Sequence, residues 1–171
     1  MKGIYLAAFE AFHANYEIDY QDINGKRDIG GDMLQIDLSP YDFIIATPPC
    51  NYWSRCNYRR DSSQYALATK HLLPEIIKKL CSQEKPFIVE NVRNSKLFSD
   101  YGLYNFGCFI YEIGRHTYWT NIFLDSADIE QRQDFKCGGY VIKYEDMNNC
   151  KHQGGYNVYN VIESWLRQIT N

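Results

Sequence analysis

Two residues in this 171-residue chain are placed for bond-making chemistry: Cys50, which follows Thr47-Pro48-Pro49, and Glu90, forty residues on in Phe87-Ile88-Val89-Glu90-Asn91. A thiolate adds to electron-poor carbon, and a nearby carboxyl group can hold or yield the proton that such an addition displaces. Consecutive prolines impose an extended, stiff backbone before Cys50, which is expected to point the thiol outward instead of letting it pack. A buried, inert cysteine is the plainer alternative, common in general and uncommon directly after two prolines at a strand end.

The elements that must position these groups are legible from apolar runs with abrupt polar ends. Tyr41 to Thr47 predicts a buried strand stopping at Pro48-Pro49, and Pro86 to Val89 predicts a second stopping at Glu90-Asn91. Between them, Leu67, Leu72, Leu73, Ile76, Ile77 and Leu80 recur at helical spacing over Ala66 to Leu80, with Pro74 as a local irregularity. Strand, helix, strand is a βαβ unit, so the chain is predicted to be α/β with Cys50 and Glu90 at one sheet rim, where open α/β sheets bind ligands. A strand over Gly3 to Ala8 and a closing helix over Val158 to Ile169 are also predicted. Strands are expected from Phe106 to Tyr144, with Trp119 to Leu124 the clearest.

No repeat, low-complexity stretch or linker divides the sequence, so one domain over 1–171 is expected. Six cysteines without a CxxC pair, and no leading apolar segment, predict a reduced, cytoplasmic protein with no membrane association. Cys137, Cys150 and His152 match no zinc spacing, so no metal is expected. A net charge of −3 excludes binding to nucleic acid by bulk positive charge. Locally, Asn51-Tyr52-Trp53-Ser54-Arg55-Cys56-Asn57-Tyr58-Arg59-Arg60 alternates aromatic and cationic residues, as a nucleic-acid groove does; a solvated loop is the equal alternative.

Thr47-Pro48-Pro49-Cys50 together with Phe87-Ile88-Val89-Glu90-Asn91-Val92 resembles the Pro-Pro-Cys and Glu-Asn-Val motifs of the DNA cytosine-5 methyltransferases, in their order and at a comparable separation. The resemblance implies a truncated Rossmann-like methyltransferase fold with a mostly parallel sheet flanked by helices. It implies a Cys50 thiolate that adds to carbon 6 of a flipped cytosine, Glu90 acting at nitrogen 3 and Arg115 supporting the base, with methyl transfer from S-adenosylmethionine to carbon 5. Gly31-Asp32-Met33 and Asp22 resemble the segments that hold the cofactor's adenine and ribose, so Phe9, Asp22, Asp32, Met33 and Pro48 are the cofactor-binding expectations. Pro49, Asn91, Arg55, Arg59, Arg60 and His116 are the substrate-binding ones, and double-stranded DNA and a homo-oligomer the expected partners.

The sequence departs from that family in three places. Ala7-Ala8-Phe9-Glu10-Ala11-Phe12 lacks the glycines of the cofactor loop; the arginine expected two positions after Arg115 is Thr117, with His116 as a substitute; and no separate target-recognition domain is expected. Gly154-Gly155-Tyr156 with the following helix is similar to small phage-type members. Two readings besides the methyltransferase stay open: a degenerate, non-catalytic DNA-binding homologue with impaired cofactor binding, and thiolate addition to a free pyrimidine nucleotide.

Overall fold

The computed structural model describes residues 2–7, 17–113 and 115–123. Seven strands form one sheet: β1 (Lys2–Ala7), β2 (Glu17–Asp22), β3 (Ile29–Gly30), β4 (Phe43–Thr47), β5 (Phe87–Val92), β6 (Phe109–Ile113) and β7 (His116–Thr120). Their order is β3-β2-β1-β4-β5-β7-β6. The sheet is mixed: β1 to β5 pair in parallel, and β7 pairs antiparallel with both β5 and β6. From β1 the chain fills one side with β2 and β3 and the other with β4 and β5, so the order reverses between β1 and β4, the point at whose carboxyl ends open α/β sheets bind ligands.

Three helices are described: α1 (Gln64–Thr69), α2 (Leu72–Cys81) and α3 (Ser95–Asp100). Leu6, Ala46, Val89 and Trp119 occupy paired positions on four neighbouring strands and so point to one face, where Ala66, Leu73, Ile76, Ile77, Leu80 and Phe98 of the helices meet them. Phe98 packs tilted against Trp53 and edge-on against Trp119, at centroid separations of 5.7 and 5.1 Å, and Trp119 Nε1 donates to Leu103 O at 2.8 Å. Truncating a buried ring of this kind costs roughly 3–5 kcal/mol.

The predicted α/β class and its central βαβ order hold, and the N-terminal strand falls at Lys2–Ala7. The boundaries shift for local reasons. Strand β4 starts at Phe43, because Tyr41 closes a turn onto Leu38 O and donates its hydroxyl to Asp19. The single helix over Ala66 to Leu80 is two, broken at Lys70-His71 and not at Pro74. Pro74 lies in the first turn of α2, where its missing N–H would have no helical partner, and its ring excludes a helical carbonyl four residues earlier, at Lys70. Strand β5 does not stop before Glu90: it runs to Val92 because Glu90, Asn91 and Val92 pair with Tyr118, Thr117 and His116. Strand β7 accordingly spans His116–Thr120, earlier than Trp119 to Leu124, and Asn121 caps β5 by accepting from Phe87 N and donating to Lys85 O. The expected Val158 to Ile169 helix, the strands predicted beyond residue 123, and Cys137, Cys150 and His152 lie outside the described residues.

The long connection from β3 to β4 is fastened by two lysines. Lys79 Nζ donates to Leu34 O and Ile36 O, and Lys85 Nζ donates to Leu38 O, Ser39 O and Tyr41 O. Residues 31–42, which include Asp32, are thereby tied to the end of α2 and the start of β5.

Candidate active site

Alternation along β5 decides which way its side chains project. Phe87, Val89 and Asn91 face the helices; Ile88 and Glu90 face the other side of the sheet. Asn91 is buried, and its Nδ2 donates to Pro48 O at 2.9 Å while its Oδ1 accepts from Val92 N. A second buried amide repeats the arrangement: Asn94, the N-cap of α3, donates from Nδ2 to Trp53 O at 2.7 Å. The loop bearing Cys50 is thus held at two backbone carbonyls by side chains from β5 and its exit. Asn94 is not among the predicted site residues, although an asparagine just before Ser95 and an apolar turn carries a helix-start signal.

Cys50 is partly buried, three residues beyond β4. Burial, and then the charge of Glu90, push its thiol above the ordinary range. Glu90 is 12% exposed, and burial raises its carboxyl to about 8, so it is protonated at neutral pH. The two groups therefore share one rim and sense each other electrostatically. A protonated carboxyl here leaves the thiolate unopposed, whereas an ionised one would resist it.

His116 is the third member of this face. Glu90 pairs with Tyr118 and Val92 with His116, which puts the imidazole on the Glu90 side of the sheet, with Nε2 at 3.6 Å from Glu90 Oε1. Burial, and then the neighbouring Arg115 charge, lower His116 to about 4, so it is neutral under ordinary conditions. It cannot replace an arginine's charge. Thr117, two positions after Arg115, is fully buried and pairs with Asn91 on the helix-facing side, so an arginine there would enter the core. Arg115 itself is exposed at the β6–β7 turn, where its carbonyl accepts from Arg93 N at 2.7 Å.

The expected aromatic and cationic groove is corrected by burial. Tyr52 and Trp53 belong to the core, with the Tyr52 hydroxyl donating to the Asp61 carboxylate and hydrogen-bonded to the Tyr101 hydroxyl. Their ring area is too large to leave in water when α3 offers an apolar surface. Tyr58, at 95% exposed, remains on the outside with Arg55 and Arg59. Arg60 donates from Nη2 to Ser54 O and braces its own loop.

At the carboxyl edge of β1, β2 and β3, Asp22 Oδ1 accepts from Asn24, and Asp32 Oδ1 accepts from Leu34 N. Each aspartate is anchored through Oδ1. Gln21 Oε1, buried on the same edge, has no hydrogen-bond partner. Asp22, Asp32 and Gln21 are thus the groups at this edge that could receive hydrogen bonds from the hydroxyl or amino groups of a ligand. Met33 is packed in the core and Pro48 is buried at the end of β4. Phe9 lies outside the described residues. Among the described residues no cluster of histidine, cysteine or acidic groups could hold a metal ion, and no helix is long and apolar enough to cross a membrane.

Residues 3–105 match the family model described as C-5 cytosine-specific DNA methylase. No match is found among curated proteins.

Proposed function

From the premise that this chain belongs to the C-5 cytosine-specific DNA methylase family, we propose that it methylates carbon 5 of a cytosine flipped out of double-stranded DNA. The observation that carries this reading is the meeting of Cys50 and a protonated Glu90 on one rim, with the Cys50 loop fastened to β5 through Asn91. The strand order, which reverses between β1 and β4, supports a Rossmann-like arrangement in which Asp22, Asp32 and Pro48 hold the cofactor.

Carbon 5 of cytosine is too weak a nucleophile to accept a methyl group unaided. In the proposed reaction the Cys50 thiolate forms a bond to carbon 6, and the electron pair of the 5,6 double bond moves through the ring toward nitrogen 3. Glu90 transfers its proton to nitrogen 3 and becomes a carboxylate, leaving an enamine whose carbon 5 is nucleophilic. The family uses S-adenosylmethionine, which when bound supplies an electrophilic methyl group. Release is an elimination: nitrogen 3 returns its proton to Glu90, a water molecule or hydroxide ion removes the hydrogen of carbon 5, that electron pair re-forms the 5,6 double bond, and the carbon–sulfur bond breaks with its pair returning to the Cys50 thiolate.

Exposed Arg55 and Arg59 flank Tyr58 on the loop that follows Cys50, a surface suited to phosphate and base contact. A non-catalytic DNA-binding homologue would use the same surface. Titration of S-adenosylmethionine by calorimetry separates the two, because the pseudoenzyme gives no binding isotherm.

The decisive experiment is incubation with labelled S-adenosylmethionine and DNA of varied sequence, alongside DNA carrying 5-fluorocytosine. Label in DNA and a covalent adduct that Cys50→Ala abolishes are expected. Absence of both in the wild type, or an adduct that survives Cys50→Ala, overturns the proposal.

A further inference from the structure

The approach of His116 to Glu90 is not explained by charge pairing. Between pH values of about 4 and about 8 a neutral imidazole faces a neutral carboxylic acid, both largely shielded from water, on adjacent antiparallel strands. Two neutral groups in that setting interact by a hydrogen bond whose direction depends on the imidazole tautomer. If Nε2 accepted the carboxyl proton, Glu90 would spend it on histidine and have none for a ring nitrogen. If Nε2 carries hydrogen, it donates to Oε1 in both protonation states of Glu90, and the acid proton must reside on Oε2. The separation of 3.6 Å is longer than a formed hydrogen bond, as is common for groups that close up when a site is filled.

Resting on the cytosine reading above, we propose that His116 is a positioning residue: its Nε2–H donates to Glu90 Oε1, directs the carboxyl proton onto Oε2 toward the pyrimidine, and stabilises the carboxylate left when that proton moves. A hydrogen bond to a charged oxygen is stronger than one to a neutral oxygen, so the imidazole favours the adduct over the starting complex. No proton leaves or enters the histidine in this step: the proton passes from Oε2 to nitrogen 3 and the negative charge remains on Glu90.

The surroundings fit this role. On β5, β7 and β6 the titratable side chains that share this face are Glu90, His116, Tyr118 and Tyr111, and Cys50 on the loop after β4 feels the charge of Glu90. Arg115 adjoins from the turn, and its cation opposes protonation of the ring. Ile113, paired with His116, is apolar. The Arg93–Glu112 ion pair, at 2.7 Å, lies on the opposite face with Ser95 and Tyr104. An imidazolium at this position would hold Glu90 as a carboxylate and deprive it of the proton the addition needs.

The test compares His116→Gln, which keeps a neutral N–H donor, with His116→Leu, which keeps bulk and dryness without one. The protonation midpoint of Glu90 is followed in the ligand-free protein by infrared difference spectroscopy, with Glu90→Gln assigning the band; kcat and KM for methyl transfer are measured in parallel. Loss of the donor is expected to raise the Glu90 midpoint in His116→Leu and to lower kcat roughly 10- to 100-fold, the range for a hydrogen bond to a charged group, with KM for DNA little changed. His116→Gln is expected to return both quantities most of the way. Equal behaviour of the two variants, or an unmoved midpoint in His116→Leu, overturns the proposal. A wild type without methyl transfer counts against the cytosine reading, while the midpoints in the free protein still decide the role of His116.

Discussion

Asn91 donates its side-chain amide to the carbonyl of Pro48 at 2.9 Å, so the strand that carries Glu90 also holds the backbone that presents Cys50. The bond is buried, and it couples the positions of two groups forty residues apart in sequence. Removing the amide should disturb their alignment before it disturbs the fold.

Asn91→Ala leaves Pro48 O without its donor and is expected to destabilise the protein by about 1–3 kcal/mol. Methyl transfer should fall further than stability explains, on the order of 100-fold, because a misplaced nucleophile loses its near-attack geometry. Urea unfolding and single-turnover kinetics check the two halves. A variant with wild-type turnover would show that the loop holds its position without β5.

Thiol reactivity reports the same coupling without DNA. Cys56 is exposed, whereas burial and the Glu90 charge hold the Cys50 thiol up, so iodoacetamide should modify Cys56 first. Glu90→Gln removes the charge that forms as the carboxyl ionises near about 8, and should speed Cys50 modification several-fold at alkaline pH with little effect below neutrality. Peptide mapping by mass spectrometry resolves the sites. Identical Cys50 rates in the two proteins would mean that the carboxyl and the thiol do not sense each other.

Lys85 provides a control remote from that rim. Its ammonium serves three carbonyls, those of Leu38, Ser39 and Tyr41, and Lys85→Met leaves them to water or to no partner. A loss of about 1–3 kcal/mol in chemical denaturation is expected. Proteolysis should report loosening within residues 31–42. Unchanged stability would reduce the lysine to a solvated surface charge.

The sequence carries Cys50 and Glu90 openly, because two prolines, two apolar runs and a helical period are local signals that also dictate topology. What it conceals depends on register. Counting along the chain from Arg115 leads to Thr117, yet antiparallel pairing turns Thr117 into the core and brings His116 to Glu90. Tyr52 and Trp53 read as a groove beside arginines, and only the placement of Phe98 and Tyr101 across the loop shows them to be core. Nothing local in the sequence marks Lys79 and Lys85 as partners of the β3–β4 connection, because the carbonyls they serve lie more than forty residues earlier.

The buried acid and base also impose opposite pH dependences on stability. Glu90 binds its proton more tightly in the folded protein, at about 8 against an ordinary 4.5, so its contribution is full below about 4.5 and is lost as pH rises toward 8. His116 refuses a proton that the unfolded chain accepts, at about 4 against 6.5, so its contribution is present above 6.5 and is lost as pH falls toward 4. Between 4.5 and 6.5 the two slopes oppose each other, and from 6.5 to 8 only that of Glu90 remains. Either group alone changes stability by at most about 1.4 kcal/mol per pH unit. Denaturant titrations are therefore expected to show wild-type stability declining from pH 6.5 to 8, with the decline reduced in Glu90→Gln. In His116→Gln the decline toward acid should be reduced instead. Curves for Glu90→Gln and wild type that run parallel across the alkaline window would mean that the carboxyl is ionised in the folded protein, and the proton assigned to nitrogen 3 would need another source.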